Sequence, residues 1–270
     1  MAIPTRTNRR NFYMMSKQID LNNISTNPPD SYSKKETNSD SRKLGNELAE
    51  LQRKLFAQEK YALLVIFQGM DASGKDGAVR NVFSKVNPAG CRVTSFSVPT
   101  VLEAKHDFLW RVHNVCPERG LIKVFNRSHY EDVLVPTVED YATPEEIDQR
   151  IEAINCFERL LINNNTIILK YFLHVSVEEQ ISRIKKRKIQ PNKRWKYEES
   201  DVRATQQREH YLQVYERIFK ECDVEPWHIV PADKKWYRNY YVLQTLMDKL
   251  QDYDIDYPKI NMEEIKGEEL

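Results

Sequence analysis

Cysteine is scarce in this chain. Its four cysteines, Cys91, Cys116, Cys156 and Cys222, are far apart and form no C-x-x-C pair. That argues against a zinc site or a disulfide framework and fits a reducing cytoplasm. No apolar run approaches the roughly 20 residues needed to cross a bilayer. Arg6, Arg9 and Arg10 have no apolar segment behind them, so the N-terminus does not read as a secretory signal. Charge of one sign is also missing: the net charge is +1, and no global field favours nucleic acid. There is no internal repeat, no second core-sized domain, and no Ser–His–Asp or Cys–His arrangement. What remains is a polar chain of 270 residues, 30% of them charged, long enough for one large α/β domain.

Apolar periodicity divides the chain. Residues 1–40, rich in Asn, Ser, Thr, Pro and Lys, are expected to form a disordered tail. Leu44, Leu48, Leu51 and Leu55 share one face of a helix over 41–59, free to serve the core or an interface. Strands are expected at 63–68, 91–97, 121–125, 166–172 and 227–230. Helices are expected between them, including one from Thr100, boxed by Glu103, to about Val115, and one opening at Ser200 or Asp201. Alternating strands and helices imply a parallel sheet covered on both faces, with ligands beyond the carboxyl ends of its strands. The fold class read from this alternation is α/β, a five-stranded parallel sheet between two helical layers. Its domain is expected over 41–255, followed by a loose acidic tail over 256–270.

The organising stretch is Gly69-Met70-Asp71-Ala72-Ser73-Gly74-Lys75, between an apolar strand and a helix. Strand, G-x-x-x-x-G-K and helix form the context of a phosphate-binding loop. Backbone amides wrap phosphate oxygens, and the helix N-terminus and the lysine add positive charge. Asp76 replaces the Ser or Thr that usually holds magnesium. Asp71 sits among the phosphate-binding amides, where it could coordinate magnesium, orient an attacking oxygen or cap the helix.

The third strand runs into Asn126-Arg127-Ser128-His129-Tyr130-Glu131-Asp132. Asn126 stands where P-loop enzymes usually carry a magnesium-holding Asp. Glu131 and Asp132 could supply the missing carboxylates, and Arg127 could grip a phosphate with two parallel hydrogen bonds. His129 and Tyr130 could donate to phosphate or ribose, or simply pack. Between 183 and 203 lie nine cations against three acids: Arg183, Lys185, Lys186, Arg187, Lys188, Lys193, Arg194, Lys196 and Arg203. Such a run is commonly a solvated face. After the fourth strand, however, a basic helix–loop–helix is where nucleotide kinases place a lid. Nine cations exceed what a triphosphate requires and suit a longer polyanion.

Together these stretches resemble the family-2 polyphosphate kinases. The resemblance rests on 69–77, His106-Asp107-Phe108-Leu109-Trp110-Arg111, 126–133, Pro191 to Lys196 and Pro231-Ala232-Asp233-Lys234-Lys235-Trp236-Tyr237, in the family's order. It implies a three-layer α/β/α P-loop kinase fold with a helical lid, and reversible phosphate transfer between inorganic polyphosphate and a nucleotide (AMP/ADP or GMP/GDP), with Mg2+ or alternatively Mn2+. Asp71 and Lys75 would be the loop's working residues, with Arg127 binding phosphate and Arg187 serving as the lid arginine. The Asn-Arg-Ser-His-Tyr-Glu-Asp form resembles the class acting on both nucleoside mono- and diphosphates. The expected catalytic residues are Asp71, Lys75, Arg127 and Asp132. Gly69, Met70, Ala72, Ser73, Gly74, Asp76, Asn126, Arg187, Lys188, Lys193 and Arg194 would bind substrate, and Asp71, Glu131 and Asp132 a metal. A homo-oligomer, dimer or tetramer, is expected, with no nucleic acid or membrane partner. The competing readings are an ATP-dependent nucleotide kinase of the same fold and a P-loop regulatory or nucleic-acid-binding protein.

Overall fold

All seven residues of Ala62–Gln68 are buried, and a strand buried on both faces must lie inside a sheet with helices on either side. The computed structural model, which describes residues 19–197 and 204–259, shows this arrangement. Five strands are parallel: β1 Ala62–Gln68, β2 Cys91–Ser95, β3 Ile122–Asn126, β4 Thr166–His174 and β5 Trp227–Pro231. Their order is β2-β3-β1-β4-β5. Phe67 of β1 faces Asn126 of β3 on one side and Tyr171 of β4 on the other. The chain order therefore reverses at β1, and a crevice opens beyond its carboxyl end.

The helices are α1 Lys34–Gln58, α2 Lys75–Val82, α3 Trp110–His113, α4 Glu131–Val138, α5 Pro144–Asn163, α6 Val177–Ile189, α7 Arg208–Glu221 and α8 Lys235–Leu250. They cover the sheet as two separate cores. One joins Tyr130, Ile154, Phe157, Tyr215 and Ile218 from the α4, α5 and α7 side. The other joins Leu48, Leu55, Ala78, Val82 and Leu246 from α1, α2 and α8. The leucine face of α1 thus packs into the core. Among the described residues no helix is long and apolar enough to cross a membrane.

Three expectations are corrected. The tail expected over 1–40 does not extend across residues 19–40. Leu21 is fully buried, and α1 starts at Lys34, where the Ser33 hydroxyl accepts the Glu36 N–H. The helix expected from Thr100 to Val115 is broken. Its Thr100–Glu103 box closes on both sides, yet only one 3-10 turn, Glu103–Lys105, follows it. Asp107 then accepts the Leu109 N–H at 3.0 Å, a local turn that competes with helix. Only α3 follows. Finally, at the start of the loose acidic tail expected over 256–270, Asp256 pairs with Lys54 at 3.0 Å, while residues 260–270 lie outside the described residues. The start of the helix expected at Ser200 or Asp201 lies outside the described residues.

Candidate active site

The chain leaves β1 through Gly69 at φ 144°. A Cβ there would lie 2.9 Å from the Leu173 carbonyl oxygen, so only glycine fits. The loop turns at Ala72, a non-glycine residue at φ 60°, and again at Gly74. Its carbonyls are clasped from outside. Gln180 Nε2 donates to Asp71 O at 3.0 Å, and Arg183 Nη1 donates to Ala72 O at 3.2 Å and Ser73 O at 2.6 Å. Arg238 Nη1 donates to Gly74 O at 3.1 Å. Gly74 brings no capping side chain to α2, so the helix meets the crevice with uncapped first-turn amides.

Four charged side chains meet beneath this loop. Lys75 is buried, and Nζ donates to Gly69 O at 2.6 Å and Met70 O at 3.3 Å. Burial, with Arg127 nearby, pushes its pKa down to about 8 against the pull of Asp71, Glu131 and Asp76. Arg127 follows β3 in left-handed backbone, φ 61°, and donates Nη2 to Asp71 Oδ1 at 2.5 Å. Burial alone would raise the Asp71 carboxyl, but Lys75 and Arg127 outweigh it and hold it below the ordinary range. Burial raises Glu131 above its ordinary value, despite Arg127 and Lys75. Beside them, Asn126 Nδ2 donates to Asp76 Oδ1 at 2.7 Å. The two positions that depart from the usual P-loop pattern therefore face each other.

The crevice above has a volume of about 460 Å³. Nine cations line it, against Asp71, Asp76 and Glu179. Lys75, Arg80 and Arg127 lie on the loop side, and Arg183, Lys186, Arg187 and Lys193 on the lid. Lys235 and Arg238 come from α8. Burial, then Arg183 and Arg80, lowers Arg238 to about 10. Like charges held this close are relieved by a bound polyanion.

Of the expected residues, Asp71, Ala72, Gly74, Lys75, Asp76, Asn126, Arg127, Arg187 and Lys193 line the crevice together. Gly69, Met70 and Ser73 support it from behind: the first two hold Lys75, and Ser73 O holds Arg183. Asp132 is corrected. It pairs with Arg111 at 3.0 Å, while its carbonyl accepts from Arg150 at 2.6 Å. One residue beyond Glu131 on a helix is rotated by about 100°, which turns it from the cluster. Lys188 and Arg194 are also corrected. Lys188 Nζ lies 5.7 Å from the Tyr197 ring centre, and Arg194 Nε donates to Lys188 O at 3.3 Å. Both serve the lid's own surface. Tyr130 donates to Glu158 at 2.5 Å in the core and His129 is fully buried, so both pack. Arg203 lies outside the described residues, as does the Lys196 side chain.

Arg80 and Arg238 carry no motif signal in the sequence, Lys235 stands there only within the matching stretch 231–237, and Arg183 and Lys186 only as members of a basic run. Helical spacing was the available signal: 183, 186 and 187 fall on one face, whereas 185 and 188 do not.

The comparisons with known proteins agree with this geometry. Residues 31–258 match the family described as Polyphosphate kinase 2 (PPK2). The chain is similar to an AMP/ADP-polyphosphate phosphotransferase of Meiothermus ruber, 43% identical over 218 residues, covering 80% of this chain and 82% of that one. It is also similar to an ADP-polyphosphate phosphotransferase of Rhodopseudomonas palustris, 40% identical over 78% of each. Its structure is similar to the crystal structure of Polyphosphate Kinase 2 from Arthrobacter aurescens TC1, with a TM-score of 0.89, 35% identity, and 96% and 95% of the two chains covered. The match takes in the phosphate loop, the Arg127 turn and the lid as one unit, so the chain belongs to the polyphosphate kinase 2 family.

Proposed function

We propose that this protein moves phosphate reversibly between inorganic polyphosphate and nucleoside mono- and diphosphates, making ADP and ATP or GDP and GTP. The observation that carries the reading is the crevice itself, with nine cations against three acids closed over a P-loop. A long chain of condensed phosphates uses that excess, and a single nucleotide does not. Relatives named AMP/ADP-polyphosphate phosphotransferase and ADP-polyphosphate phosphotransferase support the mono- and diphosphate range.

In the forward direction, an oxygen of the nucleotide's terminal phosphate attacks the end phosphorus of the polyphosphate. The bond from that phosphorus to its bridging oxygen breaks in line, and the shortened chain leaves as the anion. Lys75 exchanges its loop carbonyls for phosphate oxygens. Arg127 turns toward the transferring group, and the lid cations Lys186, Arg187 and Lys193 screen the rest of the chain. Asp71, kept ionised by Lys75 and Arg127, orients the acceptor. Two hard carboxylates beside a phosphate site are donors of the kind that a small divalent ion prefers. Asp71 and Glu131 would hold such an ion, magnesium or else manganese, which when bound neutralises phosphate charge.

The test is a mixture of protein, polyphosphate and ADP without ATP, run in parallel with AMP. ATP should form from ADP, and ADP from AMP. If phosphate moves only when ATP is the donor, the rival nucleotide kinase is correct.

A further inference from the structure

Residues 19–30 precede the span matched to the family, 31–258. Their polar composition gives little reason to fold, yet they cross the carboxyl ends of β4 and β5. Leu21 is fully buried, and its N–H donates to Glu216 Oε1 of α7 at 2.7 Å. His174, which ends β4, donates through Nε2 to Ile24 O at 3.2 Å. Asp233 N donates to Thr26 O at 3.1 Å. Thr26 Oγ1 and Asn27 Nδ2 donate to Asp233 Oδ2 at 2.8 Å and 3.2 Å.

The other oxygen of Asp233 accepts from Ser176 N at 2.8 Å. Ser176 is the N-cap of α6, so one carboxylate joins this segment to the first turn of the lid helix. The same loop carries the lid's second tether. Arg183 Nη2 donates to Ala232 O at 2.7 Å and Asp233 O at 3.2 Å, while its Nη1 clasps the phosphate loop. N-terminal segment, lid helix and phosphate loop are all fastened at Asp233.

We propose that residues 21–27 form a strap that sets the angle of the lid helix through Asp233, making Thr26, Asn27 and Asp233 positioning residues for polyphosphate binding. The inference rests on the reaction proposed above. Leverage is what makes the base of α6 matter. At about 1.5 Å per residue, Arg187 stands about 16 Å beyond Ser176. A tilt of about 10° at the base moves its guanidinium by about 3 Å, the full length of a hydrogen bond to phosphate. A carboxylate held by two strap donors cannot swing with the helix as a solvated one would.

The experiment compares full-length wild type with Thr26→Val/Asn27→Ala. KM for polyphosphate should rise about five- to tenfold, while KM for ADP stays within twofold. Amide hydrogen exchange across Val177–Ile189 should quicken by a similar factor; this readout needs no turnover. Asp233→Ala should reproduce both effects. Asp233→Asn keeps an oxygen for Ser176 N but turns an amide donor on Asn27 Nδ2, so it should match Thr26→Val/Asn27→Ala and not wild type. An unchanged polyphosphate KM together with unchanged exchange in α6 would overturn the strap, even if the melting temperature fell. Wild type lacking polyphosphate-dependent turnover would instead overturn the reaction, while the exchange comparison still decides the strap.

Discussion

Lys75 donates its ammonium to the carbonyl oxygen of Gly69, six residues back along its own loop, at 2.6 Å. The lysine is thereby stored at the floor of the crevice, next to the space where a phosphate would sit. Its removal takes one charge-assisted contact from the transition state. Lys75→Ala should lower kcat by about 10²–10³. Circular dichroism should show the fold retained, because what is lost is a tether within one loop. Asp71→Ala should match it. Turnover at the wild-type level in either variant would remove that residue from the reaction.

The same lysine sets a pH limit. Burial favours its neutral form, so its charge is lost as pH rises through about 8, well before that of a solvated lysine. For the free enzyme, kcat/KM for polyphosphate should therefore fall above pH 8, approaching tenfold per unit. Saturating polyphosphate pairs with the ammonium and should move the corresponding limb of kcat to higher pH. A flat kcat/KM profile to pH 9.5 would show that the lysine stays charged or is not required.

Much of this was legible from residues alone, because strand, loop and helix around 69–75 each carry a local signal. Long-range placement was not. Asp76 and Asn126 each stand out as departures in the sequence, but their 2.7 Å hydrogen bond depends on the register of β1 against β3. Arg238 sits in an ordinary amphipathic helix; nothing local says that it reaches the carbonyl of Gly74. Residues 19–30 read as a tail because their stabilisation comes from acceptors such as Glu216 and Asp233, about 200 positions away in sequence. Asp132 fails for a simpler reason: the pattern supplies a carboxylate but not the direction in which a helix points it.

Gly74 offers a test of the loop's backbone. Its φ of 102° is a conformation that L side chains rarely adopt, and a Cβ would lie 2.4 Å from Arg238 Nη1. Arg238 is 1% exposed, so its guanidinium has little room to retreat. Gly74→Ala should cost about 1–3 kcal/mol in urea unfolding. It should also raise KM for polyphosphate, since the first amides of α2 are re-aimed. An unchanged KM would mean that these amides do not bind the substrate.

A buried ion pair lies beneath the Arg127 turn. Lys170 donates to Glu158 Oε2 at 2.7 Å, Tyr130 OH at 3.0 Å and Cys222 O at 2.9 Å, which uses all three of its protons. Lys170 and Glu158 are both fully buried. Glu158→Ala strands the ammonium in the core and should destabilise by about 3–5 kcal/mol. Replacing both partners, as Glu158→Leu/Lys170→Met, should recover most of that, because no charge is left unpaired. Burial would raise the Glu158 carboxyl, but Lys170 and then His129 overcome it and hold it below the ordinary 4.5. A folded-state pKa below the unfolded one contributes stability above pH 4.5, lost as pH falls through the folded value. Below pH 4.5 wild type should therefore lose stability faster than the double variant, as measured by urea midpoints across the acid range. Parallel acid limbs would mean that another carboxylate governs acid unfolding.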